Sequence, residues 1–144
     1  MMLDIVPLDH EYLHTLLQGA APSLGAELHR SYFSPGSVAL CMLNDGAPVF
    51  AGGIVNLGWH RGEVWILPTP FFKRHIKTCF KHMRDSLLSL GRTGGFVRLQ
   101  ATCVYGQPGK WLRVFGFEYE GTMKKFGPGG ETCDLYARIL EASQ

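Results

Sequence analysis

The feature that most restricts what this chain can fold into is one long apolar stripe lying between stretches of β-forming residues. Phe72, Ile76, Cys79, Phe80, Met83, Leu87 and Leu90 recur at helical spacing and so share one side of a helix. Thr69 stands where a cap is needed, Pro70 suits the first helical position, and Gly91 marks the end. A helix with a single apolar face has to bury it, and the neighbouring segments offer a sheet.

On the amino-terminal side, Ser37–Leu43, Ala47–Leu57 and Glu63–Leu67 are rich in β-formers. They are separated by Asn44-Asp45-Gly46 and by Gly58–Gly62, the pattern of a three-stranded antiparallel meander. Leu3–Val6 reads as a short strand stopped by Pro7, followed by a helix over Leu8–Leu17 and a second short helix over Leu24–Phe33. Beyond the long helix, Phe96–Val104 is a strand and Lys110–Phe115 a helical turn ended by Gly116. Phe117–Lys125 and Thr132–Ile139 then form two closing strands across a glycine-rich turn. The 144 residues, 46% of them apolar, suffice for one core and show no linker or repeat, so residues 1–144 are expected to form a single domain.

A net charge of +2 makes nucleic acid an unexpected partner. Cys41, Cys79, Cys103 and Cys133 form no C-x-x-C pair and lie in apolar stretches, as buried free thiols do, which fits a reducing cytoplasm. The first residues carry no basic leader, and no apolar run reaches the roughly 18 residues of a membrane span. The expectation is a soluble, unprocessed protein.

Two local signals have their own chemistry. His10-Glu11-Tyr12-Leu13-His14 matches H-E-x-x-H, in which two histidines on one helical face bind zinc. Tyr12 and Leu13 belong to the apolar stripe of that helix and no later cluster supplies a third ligand, so no metal site is expected. Trp65 and Trp111 fall where side chains must be buried. Trp59, in a turn between glycines, is either an exposed anchor or an edge-packing residue.

The run Lys110-Trp111-Leu112-Arg113-Val114-Phe115-Gly116-Phe117-Glu118-Tyr119-Glu120-Gly121 resembles the carboxy-terminal signature of the GNAT superfamily of N-acetyltransferases: a short helix, Gly-Phe, then Glu-Gly in the next strand. Asp134-Leu135-Tyr136-Ala137-Arg138 resembles its final strand, and Glu63-Val64-Trp65-Ile66-Leu67-Pro68 before a basic helix looks like small acetyltransferase-like proteins of bacteriophages, in which the cofactor motif is often eroded. The resemblance implies an α/β (α+β) fold with a mixed, mainly antiparallel sheet of six to seven strands and helices on both faces. It also implies acetyl-CoA as cosubstrate and a small-molecule or protein amine as acceptor.

On that resemblance, Ile66 and Leu67 lie on the strand that pairs with the pantetheine arm, and Lys73-Arg74-His75-Ile76-Lys77-Thr78 faces the pyrophosphate. The family's loop has Gln or Arg, two residues, Gly, one residue, then Gly or Ala; here Lys73 opens the motif, and Ile76 and Thr78 replace the small residues. Lys73, Arg74 and Lys77 then either hold phosphate through their side chains or form the solvated face of the helix. Glu63 and His60 stand near the family's general base, Leu112 replaces the tyrosine that protonates the departing thiolate, and Tyr105 is the substitute donor. The alternative is an inactive protein of the same fold that binds another protein, in a phage particle or against a host factor. Its location would then be the host cytoplasm or the virion.

Overall fold

The computed structural model describes residues 2–18, 32–67, 69–104 and 110–140. Strand β1 (Leu3–Pro7) leads to helix α1 (His10–Gln18), then to the meander β2 (Val38–Asn44), β3 (Ala47–Gly58) and β4 (Arg61–Leu67). A short helix α2 (Pro70–Arg74) and the long α3 (Ile76–Thr93) follow, then β5 (Arg98–Val104), α4 (Lys110–Val114), β6 (Glu118–Met123) and β7 (Cys133–Ile139). The described strands form one seven-stranded sheet in the order β1-β2-β3-β4-β5-β7-β6. Its neighbours are antiparallel except for β4 and β5, which are parallel. The expected α+β architecture is therefore present, with all seven strands. Among the described residues no helix is long and apolar enough to cross a membrane.

Local chemistry explains the element ends. Asp9 accepts a hydrogen bond from the Tyr12 amide through Oδ1 at 2.7 Å, so α1 starts at His10 rather than at Leu8. β1 ends at Pro7 as expected, with Pro7 itself its last residue, because a place at the end of an edge strand requires no ladder donor. Asp45 and Gly46 both take positive φ in the β2–β3 turn, as a two-residue hairpin requires. The helix expected over Leu24–Phe33 falls largely outside the described residues, as does the side chain of Trp111.

Alternation along the strands sends side chains to two cores. Leu40, Met42, Phe50, Ile54, Val64, Leu99 and Ala101 meet Cys79, Phe80, Met83 and Leu87 of α3, and Leu112 and Phe115 join them from α4 and the turn after it. On the opposite face, Cys41, Ala51 and Leu67 pack with Leu13 and Leu16 of α1 and with Tyr32. Helices thus cover both faces. All four cysteines are free thiols, and burial pushes Cys41 up to about 12 and Cys79 up to about 11.

The long stripe is modified near both ends. Thr69 caps as expected, its Oγ1 accepting from the Phe72 amide at 3.2 Å, but the helix stops after Arg74 and restarts at Ile76 through a non-helical His75. Eight residues of continuous helix would set Phe72 and Phe80 about 12 Å apart along the axis. The break instead brings their rings to 5.3 Å, with Phe72 also stacked on Phe50 at 4.8 Å. The restart changes the helical phase and leaves Ile76 45% exposed, so Ile76 is not part of the buried stripe; Leu90, near the far end, is also exposed.

Phe80, buried between Phe72 and Phe115, should lose about 3–5 kcal/mol of stability on replacement by Ala. Ile76→Ala should cost about 1 kcal/mol or less, because that side chain is largely in water. Denaturant titration of the two variants checks this; equal losses would contradict the break at His75.

Candidate active site

The parallel contact between β4 and β5 is confined to Arg61, Gly62 and Glu63 opposite Arg98, Leu99 and Gln100. Beyond it the strands follow different partners. Val64–Leu67 stay on β3, with Trp65 opposite Gly53 and Leu67 opposite Ala51, while Ala101–Val104 stay on β7. The result is a wedge in the middle of the sheet, closed at Glu63 and Gln100. Along it, one edge of each strand carries amide and carbonyl groups that the other strand does not satisfy. Ile66 is half-buried on the α3 face of the wedge, and Leu67 is buried on the α1 face.

The strand that forms one wall runs directly into the helix starts. Lys73 and Arg74 are exposed at the end of α2, and Lys77 is exposed in the first turn of α3. The Cys79 amide is the first of α3 to bond within the helix, to the His75 carbonyl at 2.9 Å. The amides of Ile76, Lys77 and Thr78 therefore lack helical partners, and His75 makes no side-chain cap. The His75 ring lies against Phe71 at 4.5 Å. Among the described residues no carboxylate pairs with Lys73, Arg74 or Lys77.

The structure places Glu63 at the apex of the wedge, half-buried on the α1 face, and burial pushes its carboxyl above the ordinary range. His60 is not brought beside it. That residue sits three positions back in the β3–β4 turn, exposed, with its ring near Gly95 and its carbonyl accepting from the Val97 and Arg98 amides. Tyr105 lies outside the described residues, immediately after the last residue of β5. Leu112 is fully buried in the α3-side core and offers no proton.

Of the zinc motif, His14 shares a hydrogen bond with Gln18 at 3.0 Å, and the His10 ring lies 4.2 Å from that of Phe33. Among the described residues no three His, Cys, Asp or Glu side chains gather as a metal would need. Trp59 is 86% exposed in a left-handed turn with His60, and the Arg61 guanidinium lies 5.2 Å from its ring centre.

Sequence reasoning missed Gln100, the register partner of Glu63, and the chain of groups that holds it. Arg98 donates through Nε to Gln100 Oε1 at 3.3 Å and through both terminal nitrogens to Glu120, at 3.0 and 2.5 Å. The paired arginine holds the Glu120 carboxyl below its ordinary range. The alternation of Arg98 and Gln100 was visible, but the opposition of Gln100 to Glu63 depends on a register across 37 residues of chain.

No family model matches the sequence, and no curated protein matches it. Solved structures do match its fold. Ard1 from Thermoplasma volcanium superposes with a TM-score of 0.79 at 13% identity, covering 98% of this chain and 99% of that one. An acetyltransferase of the GNAT family from Streptococcus pneumoniae gives 0.74 at 13% identity, covering 97% and 100%. A ribosomal-protein-alanine N-acetyltransferase from Brucella melitensis gives 0.76 at 16% identity, covering 95% and 99%. The chain thus has the fold of GNAT N-acetyltransferases over nearly its whole length.

The raised carboxyl of Glu63 has a consequence for stability. The folded group holds its proton more tightly than the unfolded one, so it contributes stability at acid pH that is lost as pH rises through its raised folded value. Glu63→Gln removes this dependence. Compared by urea midpoints between about pH 4 and pH 7, the variant should gain on the wild type as pH rises; a constant difference would contradict the burial of the charge.

Proposed function

We propose that this protein is an acetyl-CoA-dependent N-acetyltransferase acting on an amine. The observation that carries the reading is the divergence of β4 from β5 directly after Glu63, on a strand that leads into a helix start with unbonded amides. The likeness to N-acetyltransferase folds supports it. Acetyl-CoA would supply an acetyl group activated as a thioester.

The residues present fit that cosubstrate. The free edge of β4, including Ile66 and Leu67, matches the amide groups of a pantetheine arm in the way a strand accepts another strand. The amides of Ile76, Lys77 and Thr78 are donors for a pyrophosphate, and Lys73, Arg74 and Lys77 add charge-assisted bonds from side chains. Ile76 and Thr78 replace the small residues of the family pattern, and these cations supply a second means of holding the anion. His75 is the non-helical residue that opens α3.

Transfer forms a C–N bond, breaks a C–S bond and moves a proton from the amine nitrogen to the sulfur. Glu63 is the candidate base: a carboxyl raised toward neutrality accepts a proton from an ammonium group more readily than an ordinary one. His60, exposed in the turn, is a more distant candidate acting through water. Tyr105 is the candidate donor to the thiolate, since Leu112 has no proton to give.

A second reading, a non-catalytic protein-binding module on the same fold, is favoured by one observation. Trp59 holds a left-handed backbone that disfavours bulky residues, and it presents its ring to solvent at a hairpin tip.

Acetyl-CoA should raise the melting temperature of the protein by linkage, and Lys73→Ala with Arg74→Ala should reduce that shift. Glu63→Gln should retain the shift but lower thiol release in the presence of amines by about 10²–10⁴-fold. Absence of both heat and melting shift at millimolar acetyl-CoA would reject the enzyme and leave the binding module.

A further inference from the structure

Helices α2, α3 and α4 carry charge out of proportion to the chain. They hold eight of its fourteen Lys and Arg residues but, of its twelve Asp and Glu residues, Asp85 alone. All three lie on one face of the sheet, since Phe71 and Phe72 of α2 and Leu112 of α4 pack with the α3-side core. The small net charge of the chain therefore conceals a cationic face.

Packing gathers part of that charge at the far end of α3. Phe80, Arg84, Leu88 and Arg92 follow one another at four-residue intervals and so share one flank of the helix. Phe80 sets the flank toward the turn after α4, its ring 5.3 Å from that of Phe115, and Leu88 is buried between the two arginines. From the sheet below, Arg138 leaves β7 on the same face, as the register partner of Leu99. A β-carbon on Gly91 would lie 3.4 Å from Leu140 and 3.5 Å from Leu99, so the helical turn that carries Arg92 lies over this end of β7. Nη1 of Arg138 donates to the Phe115 carbonyl, in space left open because Gly116 has no side chain. Arg84, Arg92 and Arg138 thus converge where α3, α4 and β7 meet.

Among the described residues little offsets their charge. No carboxylate bonds to Arg92 or Arg138; Arg84 meets Asp85 at 3.1 Å, but the Asp85 side chain is 66% exposed, and such a pair contributes little. Glu118 leaves β6 on the opposite face as the partner of Ala137, and Glu120 is held by Arg98. Asp134, on the same face of β7, accepts from Thr122 and stands about 13 Å along the strand from Arg138. Burial, then Arg92 and then Arg84, hold the Arg138 guanidinium below its ordinary range. An arginine keeps its proton even so, and the repulsion persists until an anion relieves it.

The donors determine the chemistry of that anion. Three guanidiniums offer planar forks of N–H groups and more positive charge than one carboxylate cancels. A phosphoryl monoester carries close to two negative charges and three acceptor oxygens, one for each arginine. Arg92 stands about 22 Å along α3 from Lys77, at the other end of the helix from the amides and cations assigned to the cosubstrate.

We propose that Arg84, Arg92 and Arg138 form a second anion site that binds a phosphoryl dianion, either free phosphate or the terminal group of a phosphorylated small molecule. The site goes beyond the acetyltransferase reading and does not depend on it.

The test follows the arginine Nε–H resonances by NMR while the full chain is titrated with potassium phosphate, against potassium chloride of equal ionic strength. Phosphate should move the signals of Arg84, Arg92 and Arg138 together and, at a tenfold excess over its dissociation constant, raise the melting temperature by about 3–5 °C. Replacing Arg138 would also free the Phe115 carbonyl, so the other two arginines carry the mutational test. Arg84→Gln with Arg92→Gln should weaken binding at least about ten-fold. Lys124→Gln with Lys125→Gln, which removes the same charge at the β6–β7 turn, should not, nor should Lys73→Ala with Arg74→Ala. Ribose 5-phosphate identifies the source: tighter binding than phosphate supports the site as one for an esterified group, and weaker binding supports it as one for free phosphate. An equal response to chloride, dimethyl phosphate binding as tightly as phosphate, or binding lost in the Lys73 and Arg74 variant but kept in the Arg84 and Arg92 variant would overturn the proposal.

Discussion

Three residues of parallel pairing join the two halves of this sheet, and the packing under them explains why the contact exists and why it is so short. Gly62 faces the α3 core at the middle of the pair, where a β-carbon would lie 3.1 Å from both Leu99 and Phe96 and nearer still to Ile54. The absence of a side chain lets β4 settle onto β5. The His60 carbonyl secures the closed end by accepting from the amides of Val97 and Arg98. Past Glu63 the two strands are committed to β3 and β7, whose ladders draw them apart.

That geometry generates the chemical features together. A parallel pair cannot be joined by a tight turn, so the chain must cross over, and the crossover is α2 and α3. Their placement leaves, on the α3 side, helix-start amides without helical partners and, among the described residues, three cations that no carboxylate pairs. On the other side of the sheet, the closure that half-buries Glu63 also sets Gln100 beside it. Lys73, Arg74 and Lys77 thus stand on the helices of one face, and Glu63 and Glu118 on the strands of the other, where Arg98 is paired with Glu120. In the proposed reaction the anionic cosubstrate and the cationic amine would approach the wedge from different sides, where each meets opposite charge.

The break at His75 belongs to the same arrangement. With the restart, Phe72 stacks on Phe50 and also meets Phe80, and the chain has a second set of helix-start amides after β4. Packing thus determines where the anion donors stand. The departure of Ile76 and Thr78 from small residues bears on how closely a phosphate can approach those amides, and the neighbouring cations bear on whether that approach is needed.

Much of the fold was legible in the sequence because it depends on local pattern. Alternation marked β2, β3 and β4, the Thr69-Pro70 pair marked a helix start, and the apolar residues from Cys79 to Leu87 marked the face that packs on the sheet. Glu63 was legible as a titratable residue on a central strand, though not as the last residue of a pairing. The interruption at His75 was not legible, because it arises from aromatic contacts between Phe50, Phe72 and Phe80 that sequence spacing does not encode. Nor were Gln100, Arg98 and Glu120, which are ordinary polar residues of strands until register places them. The sequence by itself determined the elements and their buried faces, since those follow from propensity and periodicity within a few residues. Only the tertiary structure decided which groups meet at the apex, because a register between strands far apart in the chain is set by the packing of the whole core.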